Sequence, residues 1–182
     1  MIVFKAFSPG LVCRGYQYKP GESNCEAEAN CVHNGIHAAE NPADCLSYYE
    51  WDGKNEFWIC EATGDIDEDT VDSKIATTEL IPEHRLSLTE YIADCALYIL
   101  QHPTRRIKEQ SRGMITICRD TGRQIGDCKV LLVAGENPKA EVTQPENMLV
   151  LVDIAKETMG AGKNLTPGWY HIGKDGAEAW TD

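Results

Sequence analysis

The 182-residue chain has no apolar run long enough to cross a bilayer. Its longest, in KVLLVA (129–134) and MLVLVDI (148–154), fall far short of the roughly 20 residues that a spanning helix needs. The opening MIVFKAFSPG lacks the charged n-region and long h-region of an export signal, so the expected compartment is the cytoplasm of the cell that makes it. A reducing compartment argues that the 8 cysteines are thiols rather than disulfides. Also absent are a G-x-S-x-G elbow, an H-E-x-x-H pair, a kinase signature and any internal repeat. GAGKNLTPG (160–168) lacks the G-x4-G-K-[ST] spacing of a phosphate loop and reads as a flexible hairpin link. No cofactor is implied.

Bases are scarce as well. With 17 Lys and Arg against 29 Asp and Glu, the formal net charge is −12. Between Glu22 and Asp72 the only base is Lys54, and the acids crowd at Asp65, Asp67, Glu68 and Asp69. Such a face repels nucleic acid and suits a basic partner. The bias reverses further on, where Arg105, Arg106, Lys108 and Arg112 form a short basic stretch fit to touch RNA phosphates.

The remaining residues give a legible order of elements. IVFKAF reads as a first strand and RGYQY as a second. Asn41, Pro42 and Asp44 supply an N-cap, a first-turn proline and a dipole-matched acid, which predicts a short helix over Pro42 to Tyr49. EFWICEATG is strand-like and closes at Gly64, and SKIATTELI is a further strand that Pro82 ends. Ser87 and Glu90 form an S-x-x-E capping box for a helix whose apolar stripe is Leu88, Tyr91, Ile92, Cys95, Tyr98 and Ile99, stopped by Pro103. Beyond it MITICRD, DCKVLLVAG, NMLVLVDI and GWYHI alternate as strands, with KDG as a hairpin turn before AEAW. The expectation is an α+β chain: an N-terminal module over 1–103 with a mixed sheet, one short and one long helix, a basic connector over 104–112, and a small β-rich module over 113–182.

Several stretches in this order, CRGYQY, GIHAAENPADCLSYY, DSKIATTELI and then PGWYHIGKDG, resemble a family of proteins of unknown function encoded by bacteriophages and prophages, mainly of Firmicutes. The likeness covers roughly Lys5 to Pro82 and Val133 to Trp180. It implies a phage accessory protein acting in the host cytoplasm. Many members carry a Gly/Ser/Asn/Ala-rich repeat between the modules, where this chain has the basic stretch.

Two classes of function are expected from these features. The first is an inhibitor of a host defence complex, with an anti-CRISPR directed at a Cas9-type nuclease and its guide RNA as the leading example. The acids at Asp65, Asp67, Glu68 and Asp69 would dock on basic protein, and Arg105, Arg106, Lys108 and Arg112 would meet RNA. The second is an enzyme using Arg14, His33, His37 and Glu61. As a ribonuclease acting on bound guide RNA, it would take acid and base from His33, His37 or Glu61 and a cation from Arg14 or an arginine of TRRIKEQSR (104–112). As an ADP-ribosyltransferase it would use Arg14 for the dinucleotide, Tyr48 or Tyr49 beside the nicotinamide, and Glu61 or Glu79 at the ribose. Cys25, Cys31, His33, His37 and Cys45 are weak zinc candidates, because only the two histidines have a short chelating spacing.

Overall fold

Strand β1 (Ile2–Phe7) alternates, so that Val3, Lys5 and Phe7 share one face, and Val3 and Phe7 are fully buried. β1 lies between β5 (Ile36–Ala39) and β6 (Glu56–Glu68), antiparallel to both. β7 (Lys74–Arg85) pairs antiparallel with β5 through its first residues and with β6 along its length. The four strands therefore close on themselves as a small barrel. β4 (Asn24–Cys25) adds to the outside of β7. A strand of twelve residues, twisted as strands are, can reach two partners that a flat one could not. Val3, Phe7, Leu11, Tyr18, Ile36, Cys60, Ile75 and Leu80 fill the core.

The computed structural model describes residues 1–31, 33–69 and 72–180, which fall into two units, 1–91 and 92–182. The boundary lies inside helix α1 (Leu88–Gln101). Its capping box forms as expected: Ser87 N–H donates to Glu90 Oε2 (2.8 Å) and Glu90 N–H to Ser87 Oγ (3.3 Å). Hydrogen bonds from the Ser87 side chain and backbone, and then from His84, hold the Glu90 carboxyl down at about 2. On the expected stripe Tyr91, Ile92, Cys95, Tyr98 and Ile99 are buried, and Leu88 is half-buried. Tyr91 packs at a tilt against the rings of Trp51 and Phe57 and its hydroxyl donates to the Pro42 carbonyl (2.6 Å).

Polar side chains staple the loops of this unit. Asn24, almost fully buried, accepts from Lys19 N–H and donates to the carbonyls of Lys19, Glu22 and Leu80. Glu56 accepts from Gly10 N–H (2.7 Å) and from the Trp58 indole (3.1 Å). Asp44 accepts from Ser73 Oγ at 2.6 Å, fixing the short helix to the start of β7.

The second unit is a seven-stranded sheet built on β10 (Val130–Val142). β9 (Ile115–Arg123) and β11 (Met148–Asp153) flank it in parallel. β12 (Thr158–Lys163) extends the β11 edge, and β8 (Gln110–Arg112) pairs β9. The second half of β10 takes β13 (Gly168–Gly173) antiparallel, followed by β14 (Gly176–Ala179). Between Ala134 and Lys139 the β9–β10 register shifts, at a corner where Asp120 has φ 59° and its carboxylate sits against Gly135. Leu131, Val133, Val142, Leu149, Leu151 and Tyr170 form the core.

The α+β expectation is corrected by this architecture, which is 53% strand and 11% helix. Three local effects account for the change. β6 does not stop at Gly64: a bulge there, with Gly64 at φ 71°, lets the strand run on through the acids to Glu68. β7 does not stop at Pro82, since a register shift between Ile59 and Cys60 places the proline at an irregularity that spares a ladder bond. GAGK, read as a hairpin link, belongs to β12, where Gly160 leaves room for the Gly176 carbonyl. Further, the N-terminal sheet is antiparallel throughout rather than mixed, and the mixed sheet is the C-terminal one. The helix at Pro42 is a 3-10 helix ending at Ser47, capped by Asn41 accepting from Ala43 N–H. In RGYQY the strand is short: Arg14 and Gly15 form a turn, across which β2 (Val12–Cys13) pairs with β3 (Tyr16–Gln17).

Two substitutions test the core. Phe57→Ala should lower the unfolding free energy by about 3–5 kcal/mol in urea denaturation, since it empties the aromatic group. Ile92→Asp should cost at least ~3 kcal/mol by burying an unpaired charge. A variant melting like the parent would place Ile92 in solvent.

Candidate functional site

Lys5 is the residue around which a site can be built. Its register on β1 turns it toward the barrel core, and it is only 6% exposed. The ammonium donates to the His37 carbonyl at 2.6 Å and lies 5.5 Å and 5.4 Å from the ring centres of Phe7 and Tyr18, a cation–π environment. Among the described residues it makes no ion pair with a carboxylate. Burial pushes its pKa down, against a smaller opposing pull from the thiols of Cys13, Cys60 and Cys45.

A cleft of about 740 Å³ opens over this lysine. Its wall includes the hairpin formed by β2 and β3, whose two-residue turn has Arg14 at φ 49° and Gly15 at φ 81°, the type I′ geometry that matches strand twist. Arg14 is exposed at that tip, and among the described residues it too has no carboxylate partner. Tyr16, Tyr48 and Tyr49 contribute aromatic surface. Tyr49 Oη donates to Cys13 Sγ at 3.4 Å, and burial first, then that thiol, raises its hydroxyl to about 12. Lys74 borders the cleft but is engaged, bonded to Asp69 Oδ2 (3.0 Å) and to Tyr48 Oη (3.4 Å). The bond to Asp69 is the main cause of its raised pKa.

Of the four residues expected to do chemistry, Arg14, His33 and His37 line this cleft, and Glu61 does not. Glu61 lies on β6 opposite Ile2 and Ile81. Glu79, the other candidate for a ribose contact, is exposed on β7 and accepts from Thr63 Oγ1 (2.9 Å). The His37 pKa is lowered, chiefly by burial and then by the positive charges of Lys5, Lys74 and Arg14. His33 sits in the exposed loop beside Asn34.

The zinc candidates do not converge. Cys31 Sγ points at the Lys74 carbonyl (3.7 Å), Cys45 Sγ at the Phe4 carbonyl (3.5 Å), and Cys25 is exposed beside Ser23 Oγ. Burial raises Cys45 to about 12. Among the described residues no three His, Cys, Asp or Glu side chains are placed to hold a metal ion. All eight cysteines are free.

The acidic and basic stretches lie outside the cleft. Asp65, Asp67 and Glu68 are exposed on β6. Asp67 accepts from Cys31 N–H (2.7 Å) and Asp69 is held by Lys74, so these two have structural duties. Arg105, Arg106, Lys108 and Arg112 are exposed in the second unit. The signal that would have found Lys5 in the sequence is its register: in IVFKAF it shares the inward parity of Val3 and Phe7.

The lowered Lys5 pKa has a stability consequence. Between its depressed folded value and the ordinary 10.5, the unfolded chain binds the lysine proton and the folded chain does not, so stability rises with pH across that window. Urea titrations of the parent and of Lys5→Met at pH about 7, 8.5 and 10 should show the difference moving in the parent's favour as pH rises, by at most ~1.4 kcal/mol per pH unit. A flat difference would mean that Lys5 has a counter-ion.

No curated protein matches the chain, and no solved structure does. No helix among the described residues is long and apolar enough to cross a membrane. A family model described as a domain of unknown function, DUF7666, matches residues 1–94. That segment contains the barrel, Lys5, the Arg14 hairpin and the whole cleft, and the chain is thereby a member of the DUF7666 family.

Proposed function

We propose that the N-terminal unit binds a small anion of the phosphorylated-nucleoside class in the cleft, with the phosphate at Lys5 and Arg14 and the base against the tyrosines. The observation that carries this reading is the buried ammonium of Lys5, which among the described residues has no carboxylate partner. In a chain with 12 excess negative charges, an acid to pair with it was abundantly at hand. A fold serving stability alone gains nothing from such a charge, and an apolar residue of similar volume is commonly better. A ligand anion completes the electrostatics. The volume suits a nucleotide-sized ligand, and tyrosine rings offer stacking faces that tolerate any base. His33 and His37 supply groups for acid–base chemistry on such a ligand. Glu61 and Glu79, away from the cleft, give no support to the ADP-ribosyl transfer roles considered for them.

Calorimetry with a nucleoside monophosphate, ADP-ribose and inorganic phosphate tests the reading. Binding should weaken about 10- to 100-fold in Lys5→Met or Arg14→Ala, the worth of one charged hydrogen bond. If none of the three anions binds at low salt, or if both variants bind as the parent does, the cleft is not an anion site.

A second reading is favoured by the outer part of β6, where exposed Ile66 (39%) stands between Asp65 and Asp67. Along the strand Ile66 shares its face with Glu68, and an exposed apolar side chain beside a carboxylate is the make-up of a docking patch for a basic protein. This reading is the phage-encoded defence inhibitor, acting in the host cytoplasm on a Cas9-type nuclease with bound guide RNA. Complex formation with such a ribonucleoprotein should weaken as salt rises past ~0.15 M and should be lost on changing Asp65 and Glu68 to Lys. Arg105, Arg106, Lys108 and Arg112 are the RNA-facing candidates, and alanine there should reduce the salt dependence without abolishing docking. A complex indifferent to both sets, or none at all, would end this reading.

A further inference from the structure

We infer that Lys5 is an amine nucleophile, condensing with the carbonyl carbon of a phosphorylated aldehyde or ketone held in the cleft to give an imine and water. The inference rests on the anion-binding reading and narrows its substrate class.

Position comes first. The β1 register delivers the Lys5 side chain from a rigid strand paired on both edges. The His37 carbonyl fixes its nitrogen through one N–H at 2.6 Å, with the Cys13 thiol as a weaker second partner, and the residue borders the cleft. Electrostatics come next. Attraction of an anion alone would be served as well by arginine, with its fork of fixed donors. Lysine adds what arginine lacks, access to the neutral amine. Lys5 is placed to reach it, because apolar surroundings disfavour the charged form, while Arg14 and Lys74 bring further positive charge to the same cleft. The groups that face it are the Cys13, Cys45 and Cys60 thiols, Tyr18 on the barrel side, and the His37 carbonyl.

The remaining groups balance the step. The Lys5 ammonium first gives one proton to solvent. The freed electron pair forms the N–C bond, and a second nitrogen proton passes to the carbonyl oxygen, giving a neutral carbinolamine. Tyr49, kept protonated by its surroundings, donates in the same cleft to the hydroxyl that departs as water, and the third nitrogen proton returns to its phenolate as the C=N bond forms. Nothing is oxidised or reduced, and the sum is amine plus carbonyl giving imine plus water. For this substrate class Arg14 takes the phosphate, and the carbonyl occupies the place at Lys5 that the phosphate of a nucleotide would share.

The test uses the full chain and pyridoxal 5′-phosphate as the anionic aldehyde, with cyanoborohydride trapping and peptide mapping by mass spectrometry. Lys5 should be labelled at least ~10-fold faster than exposed Lys19 or Lys54, the expected advantage of a desolvated amine. Pyridoxine 5′-phosphate, which has no carbonyl, should block the labelling. Lys5→Arg should still bind pyridoxine 5′-phosphate but form no adduct at position 5, and Arg14→Ala should slow labelling by pyridoxal 5′-phosphate and not by unphosphorylated pyridoxal. Labelling spread evenly over the exposed lysines, with Lys5 unmodified, overturns the inference, and the map of the parent protein is decisive even if a variant does not fold. Binding of pyridoxine 5′-phosphate without Lys5 labelling refutes the nucleophile and keeps the anion site. Preferential Lys5 labelling by unphosphorylated pyridoxal, with no binding of pyridoxine 5′-phosphate, supports the nucleophile and removes the anion site.

Discussion

The N-terminal unit depends on the double pairing of β7, which meets β5 with its first residues and β6 along its length. Without that contact β5, β1 and β6 would form an open three-stranded sheet, and Lys5 would face solvent on one side of it. Closure gives the strand an interior, and an interior makes a lysine costly. Every unusual property of the site follows from this: the cation–π contacts, the carbonyl partner in place of a carboxylate and the depressed pKa are what a charged side chain acquires when a sheet closes over it.

The abundance of acid reads differently once the contacts are known. Asp44, Glu56, Asp67 and Asp153 accept backbone or side-chain hydrogen bonds that hold loops in place. These acids replace backbone partners in segments too short to make their own. Part of the −12 charge is thus structural, and what remains as free acidic surface on β6 is smaller than the sequence suggests, chiefly Asp65 and Glu68. Among the described residues Lys5 and Arg14 stay without carboxylate partners amid this excess.

What can be read from the sequence are features of short range. The Ser87/Glu90 box, the Asn41 cap and the strands through IVFKAF and MLVLVDI depend on residues a few positions apart, and they stand where expected. The barrel is not legible there, because its closing pairs join β1 to β6 and β5 to β7 across long separations, and Gly64 and Pro82 read locally as strand ends although the partner strand tolerates both as irregularities. At the site, Arg14, His33 and His37 stand out for their chemistry, and the fold sets them round one cleft. Glu61 stands out for its chemistry too, and only the register of β6 shows that it faces elsewhere. Lys5 does not stand out, because a lysine in a strand ordinarily faces solvent.

One corner of the second unit has a wider consequence. β9 and β10 run parallel although only residues 124–129 connect them, where parallel neighbours ordinarily need a dozen or more. That link is not even stretched, for Cys128 N–H donates to the Ile125 carbonyl and Gln124 Nε2 to the Cys128 carbonyl. The bend at Asp120 and Gly135 brings the end of β9 back within reach of the start of β10. A tether this brief, itself pinned by hydrogen bonds, acts as a clasp: slipping either strand by a step would break the bonds within the link. The alignment of the parallel pair is thus held by its connection as well as by the side chains along it.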